Sequence, residues 1–123
     1  MREILFRGKR TDNGEWETGS LVVIRGGCSD EQIYIADKMT GYNTPVLKET
    51  VGQYVDVEDT GGTMIFEGDI LRDDDAEENG VVVFEEGKFC VVFGNVEAHS
   101  IADIAYSCYV HGNIHDNPEL LEG

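Results

Sequence analysis

The sequence predicts a mainly β protein, and three observations carry that prediction. Val, Ile and Thr number 29 against 14 for Leu, Ala and Met, a bias toward side chains that are stiff at χ1 and fit a pleated surface. Glycine occupies 15 of 123 positions, about 12% against a usual value near 7%, which supplies the turns that many short strands need. The apolar residues also fall in short runs, several of them alternating with polar residues, and no long stretch holds a helical period. Leu, Ile, Val and Phe together make 33 residues. That is about 27% of the chain, above the roughly 20% below which a highly charged sequence stays disordered.

The elements follow in order. Glu3 to Arg7 reads as a first strand and Trp16 to Arg25 as a second, joined through Asn13-Gly14, a strong hairpin signal. The stretch Gly26-Gly27-Cys28-Ser29-Asp30 breaks the pattern, after which Ile33 and Ile35 alternate with Gln32 and Tyr34 in a third strand. Thr44-Pro45 is suited to start a single helical turn through Glu49, with proline at its first position, and marks a seam between two halves. Val51 to Val57 is a strand, Asp59 to Thr63 a polar turn, and Met64 to Phe66 a short strand that Glu67-Gly68-Asp69 turns into Ile70-Leu71. A loop of almost pure acid follows, Asp73 to Asn79. The clearest hairpin pairs Gly80–Phe84 with Lys88–Phe93 across Glu85-Glu86-Gly87. Val96 to Ala105 is a candidate short helix because Ile101, Ile104 and Ala105 share a face, and Tyr106 to His111 alternates as a strand. Asn117-Pro118-Glu119-Leu120-Leu121 reads as an N-cap, a proline at the first helical position and a stub of helix.

Three patches in order span nearly the whole chain: Phe6-Arg7-Gly8-Lys9 with Asn13-Gly14-Glu15-Trp16 and Gly19-Ser20-Leu21; Thr50-Val51-Gly52-Gln53-Tyr54 with Ile65-Phe66-Glu67-Gly68-Asp69-Ile70; and Gly112-Asn113-Ile114 with Asn117-Pro118-Glu119-Leu120-Leu121. On these the chain resembles the YopX family of phage and prophage proteins. The resemblance implies a small all-β protein containing an SH3-like barrel, and brings no agreed biochemical activity. It suggests one YopX-like domain over residues 1–123, with an N-terminal β region over about 1–48 and the barrel over about 49–123. The sequence departs from the family pattern after Gln53-Tyr54, where Val55-Asp56-Val57 stands for the usual Thr-Gly-Leu. The usual lysine-rich turn is replaced by Glu58-Asp59-Thr60-Gly61-Gly62. Within the central patch a physical reading needs no activity: Gly68 can take positive φ and Asp69 can bond neighbouring amides, which makes a sharp corner. Gly52 and Gly112 likewise suit bends or close backbone approaches.

Charge excludes several functions. The chain carries 25 acidic and 9 basic side chains, a net of −16, which opposes unassisted binding to phosphate backbones or anionic lipid. Partners, if charged, should be basic proteins or cations; neither nucleic acid nor a membrane is expected. From Glu49 to Glu86 there are 13 acids and one base, Arg72, whereas the first ten residues have a net of +3. No apolar run approaches the roughly 18 residues of a membrane span, and Met1 to Arg10 lacks a signal-peptide core, so a cytoplasmic location in a bacterial host is expected. Cys28, Cys90 and Cys108 are an odd number without Cys-x-x-Cys spacing and read as buried or half-buried thiols.

Each candidate chemistry has a simpler reading beside it. Cys108, His111 and His115, with His99 upstream, are zinc-ligand types. Gly112 weakens a helix between the two imidazoles, and on a strand Cys108 and His111 face opposite ways. The resemblance adds that the family tends to carry an aromatic at the position of His115. Oxygen donors at Asp73, Asp75, Glu77 and Asn79 invite calcium, but the sixth and twelfth positions of an EF-hand loop would be Glu78 and Phe84 rather than Gly and Glu. No Gly-x-Ser-x-Gly or phosphate loop occurs, and Glu67 with Asp69 is an ordinary carboxylate pair in so acidic a chain. No catalytic residue, cofactor or metal is therefore expected. The expected function is a non-enzymatic, phage- or prophage-encoded binding or assembly module with an unidentified protein partner and a capacity for self-association. Its candidate partner-facing residues are the acidic loop Asp73, Asp74, Asp75, Glu77 and Glu78. The alternatives are an acidic, DNA-mimic-like decoy for a host nucleic-acid-binding protein and a metal-dependent enzyme. Trp16 and Tyr54 are open to a core or a contact role on the sequence, aromatics at such spacing being more often core.

Overall fold

The β-branched runs form strands wherever the sequence alternates. A computed structural model of the chain describes residues 4–26, 31–94 and 97–122, and among these there are eleven strands, one four-residue α-helix and three short 3-10 turns. The protein is all-β, as its composition predicts. Two compact units divide the chain between Gln53 and Tyr54.

The first unit, Met1–Gln53, is an antiparallel meander of β1 (Phe6–Lys9), β2 (Trp16–Arg25), β3 (Glu31–Ala36) and β4 (Asn43–Pro45). The β1–β2 hairpin closes as Asn13-Gly14 predicts, with Gly14 at φ 74° and the Asn13 side chain accepting the Glu15 amide at 2.9 Å. Strand β2 pairs with β1 through Trp16–Gly19 and with β3 through Ser20–Arg25. At this handover Gly19 leaves room for the Ala36 carbonyl, which a Cβ would overlap. The helical turn expected at Thr44–Glu49 is displaced. Pro45 sits on an edge strand, the place where a missing N–H costs least. It is held there because its carbonyl accepts the Thr11 amide while the Val46 amide donates to Ile33. The turn forms later, at Lys48–Thr50. There the Thr50 hydroxyl donates to the Leu47 carbonyl at 2.6 Å and accepts the Lys9 amide at 2.9 Å. Gly52 and Gln53, the first residues of β5 (Gly52–Glu58), then pair with Arg7 and Phe6.

In the second unit, Tyr54–Gly123, the rest of β5 pairs with β6 (Met64–Phe66). A five-stranded antiparallel sheet runs in the order β10 (Glu97–Ser100), β9 (Lys88–Phe93), β8 (Glu78–Glu85), β7 (Asp69–Asp73), β11 (Tyr109–Asn113). The β8–β9 hairpin is the one read from sequence, turning at Glu86-Gly87, both at positive φ. One face of this sheet is core: Leu71, Val82 and Val91 pack with Val55, Ile65, Ile101 and Cys108, all 7% exposed or less. The sheet is open rather than closed into the expected barrel. Its outer strands β10 and β11 do not pair with each other, because β10 ends at Ser100, where α1 (Ile101–Ile104) and a 3-10 turn take over. The helix expected over Val96–Ala105 is thus part strand, since Glu97–Ser100 pair with Phe93–Cys90 of β9 instead of winding. The strand expected from Tyr106 starts at Tyr109 instead. The C-terminal stub is a 3-10 turn, Pro118–Leu121, whose Asn117 makes no capping hydrogen bond from its side chain.

Candidate functional site

Several polar residues in and beside the recognisable motifs prove to be fastenings of the fold. Gly68 turns at φ 92° and Asp69, 1% exposed, accepts the Phe66 amide at 2.7 Å, so the corner between β6 and β7 is built as the sequence suggests. The second fastening is Asp59. One of its oxygens accepts the Gly61 and Thr63 amides at 2.8 and 2.9 Å, and the other accepts the Val110 amide at 2.8 Å, tying the turn after β5 to the edge strand β11. Burial alone would raise this carboxyl's pKa; the amides of Val110, Thr63, Gly61 and Gly62 outweigh it, and the net shift is downward.

The third fastening lies in the C-terminal patch. Asn113 accepts the His115 and Asp116 amides on its side-chain oxygen at 3.0 and 2.9 Å, while its own amide donates to the Asn117 side chain at 3.3 Å. A Cβ on Gly112 would stand 2.6 Å from that Asn117 oxygen. The close approach at Gly112 read from sequence is present, at a register shift in β11. Tyr54 is buried against Phe66, ring centres 5.6 Å apart. Trp16 is half-buried with the Arg7 guanidinium 4.6 Å from its ring centre and the Lys9 ammonium 5.6 Å away.

The acidic loop is shorter than the sequence implies. Glu78 and Asn79 belong to β8, opposite Asp73 and Arg72, leaving a four-residue turn over 74–77 with Glu77 at φ 54°. Asp73 is half-buried and spends one oxygen on the Asp75 and Ala76 amides, whereas Asp74, Asp75, Glu77 and Glu78 are exposed. Arg72 reaches Asp74 at 3.3 Å, and the Tyr109 hydroxyl donates to the same carboxylate oxygen.

The zinc-type residues are not brought together. Cys108 is a core thiol, and burial pushes its pKa up, with the Asp73 carboxylate adding to the rise and a contact with the Ser107 hydroxyl opposing it. His111 is exposed beside the Tyr109 ring, and the His99 ring packs edge-on to Phe93. Among the described residues no group of three or more His, Cys, Asp or Glu side chains is placed to hold a metal ion. Cys90 is buried like Cys108, and Cys28 lies outside the described residues.

What the fastenings leave over is a groove of about 790 Å³ in the second unit. Its floor is Val81 and Val83 of β8 with Val92 of β9, on the sheet face opposite Val82 and Val91, and its wall is Leu120 and Leu121. The Asn79 amide group donates to the Leu120 carbonyl at 2.9 Å and so fixes the wall to β8. The rim is acidic: Glu77, Glu78, Glu85 and Glu122 face a single cation, Arg72. Two members of the sequence-derived acidic loop, Glu77 and Glu78, therefore line a concave surface with an apolar floor and a polar rim; Asp73, Asp74 and Asp75 do not line it. The floor escaped notice in the sequence because strand alternation was the guide. Its signal was the unbroken Val81-Val82-Val83, which makes both faces of one strand apolar. The first unit carries a smaller groove of about 450 Å³, lined by Leu21, Val23, Ile33 and Val51 beneath the ion pairs of Glu31 with Arg25 and Lys48. Among the described residues no helix is long and apolar enough to cross a membrane.

No curated protein matches the chain. Among solved structures, the crystal structure of protein EF1440 from Enterococcus faecalis is similar over 99% of this chain and 100% of its own, with a TM-score of 0.59 and 24% sequence identity, a likeness of fold. The family model described as YopX protein matches residues 5–122. That match takes in the Gly68-Asp69 corner, the Asp59 clamp and the Asn113–Asn117 knot just described, and the chain belongs to the YopX family.

Proposed function

We propose that the chain is a non-enzymatic binding and assembly module, encoded by a phage or prophage and working with a protein partner in the cytoplasm of a bacterial host. The observation that carries this reading is the groove of the second unit: three valines and two leucines form a concave surface that the chain's own core does not use. A concave surface that joins an apolar floor to charged groups at its edge can both grip and orient a partner. The phage origin is drawn from the family resemblance of the three motifs, and the location from the absence of apolar runs in the sequence.

A second reading is favoured by one observation. Asp74, Asp75, Glu77 and Glu78 are all exposed at one end of the β7–β8 hairpin, an array of charge that would attract a basic nucleic-acid-binding protein. The two readings separate on capture of host-cell proteins by the immobilised chain at low and high salt and with excess duplex DNA. A module gripping by apolar contact retains a partner, in reduced amount, through both challenges. A decoy loses its partner to both, because a charge-only contact is screened by salt and DNA competes for the same surface.

A further inference from the structure

We propose that the groove of the second unit takes a basic, partly apolar segment of a protein partner, with Lys or Arg side chains on either side of a Val-, Ile- or Leu-sized residue. This rests on the reading of that groove as the binding face and specifies what fills it. The argument begins with charge. Of the five ionisable side chains around the groove four are glutamates, and the fifth, Arg72, is engaged by Asp74 at 3.3 Å and by the Asn79 side-chain oxygen at 3.5 Å. Among the described residues none of the four glutamates has an ion-pair partner within salt-bridge distance. An occupant without positive charge would strip water from carboxylates and return nothing for it, whereas a cation on each flank offsets that cost.

Shape supplies the other half. Charge alone would be served by a flat acidic surface, yet the centre is Val81, Val83 and Val92 under Leu121, which is 46% exposed. Such a floor rewards a branched aliphatic side chain placed between the flanking cations. The volume of about 790 Å³ lies within the roughly 300–1,000 Å³ of sites that enclose a ligand, room for a short segment rather than a whole domain face. The wall is prepared for it, because the Asn79–Leu120 hydrogen bond of 2.9 Å holds the last turn against β8 before anything binds. The rim also rejects the commonest competitor for basic segments: a nucleic acid would bring phosphate against the four glutamates.

The test uses the full chain and an array of ten-residue peptides in which three Lys or Arg residues surround one or two Val, Ile or Leu residues. Decalysine and peptides with the basic residues replaced by Gln serve as single-feature probes. Affinities are read by fluorescence anisotropy at low and moderate salt. The mixed peptides should bind, with decalysine and the Gln peptides each at least about tenfold weaker, which is the loss expected when one of two contributions to binding is removed. Glu85→Lys combined with Glu122→Lys should weaken the mixed peptides about tenfold, two lost charge contacts at the rim. Leu121→Ser should weaken them severalfold without changing the salt dependence. All these positions are at the surface, and unchanged thermal melts verify that each variant folds. Decalysine binding as tightly as the mixed peptides, or indifference to the rim reversal, would overturn the proposal. Should no peptide bind while a partner captured from cells is lost from the Leu121→Ser variant, the basic-segment inference fails and the binding face stands. Should capture also be indifferent to Leu121→Ser, both fail.

Discussion

Gly19→Ala is expected to destabilise the protein by about 3 kcal/mol or more, the upper range for forcing an extra methyl into a filled space. A Cβ at Gly19 would overlap the carbonyl oxygen of Ala36 and stand 2.9 Å from its carbonyl carbon, and these are backbone atoms that cannot rotate aside. Movement of either strand would disturb the place where β2 leaves β1 and takes up β3. A melting temperature lower by about 10 °C is the corresponding loss for a chain of this size. Gly14→Ala is the matched comparison: its φ of 74° is left-handed but nothing lies within 4 Å of the added carbon. It should cost only the conformational penalty of about 1–2 kcal/mol. Equal melting temperatures for the two variants would refute the steric account of Gly19.

Asp59→Ala is the second large effect, an expected loss of about 3 kcal/mol at neutral pH. It removes an acceptor from the Gly61, Thr63 and Val110 amides together, and hydrogen bonds to a charged group contribute roughly 1.5–3 kcal/mol each before water replaces some of them. The pH dependence follows from the direction of the pKa shift. Because the folded-state pKa lies below its ordinary value, the stabilisation is fully present above the unfolded-state pKa of about 3.9 and is lost as pH falls through the folded-state value. Asp59→Asn, which cannot ionise and offers only one acceptor oxygen, should lie between wild type and Asp59→Ala at pH 7, with a smaller deficit relative to wild type at an acid pH below about 3.9. Urea unfolding at the two pH values measures both. A wild-type advantage over Asp59→Asn that is unchanged at acid pH would contradict the clamp.

These two positions show how unevenly the fold could be read. Turn chemistry was legible wherever one residue type dictates it: Asn13-Gly14, Gly68-Asp69 and Glu86-Gly87 all turn where the sequence says. What the sequence could not display were bonds between distant segments. Pro45 was misread as a helix start because the Thr11 amide that claims its carbonyl lies 34 residues earlier. Asn117 was read as a cap because the Asn113 amide that takes its oxygen becomes its neighbour only once β11 ends in a turn. Asp59 looked like one more acid in a charged loop, while its bond to Val110 spans 51 residues.

The candidate site was legible in part for the same reason. Glu77 and Glu78 stood out as charge, but the valines beneath them read only as members of the Gly80–Phe84 and Lys88–Phe93 strands, one face of which does supply Val82 and Val91 to the core. A second apolar face on the same strand acquires meaning only when Leu120 and Leu121 are folded back beside it.

The most direct test of the groove as binding face is to record amide chemical shifts of the isotope-labelled chain while a captured partner is titrated in. The account predicts that the largest changes fall on Glu77–Glu85, Val92–Gly94 and Leu120–Glu122, the segments that form the groove. Changes confined to Leu21–Val51 would place recognition on the smaller groove of the first unit and contradict it.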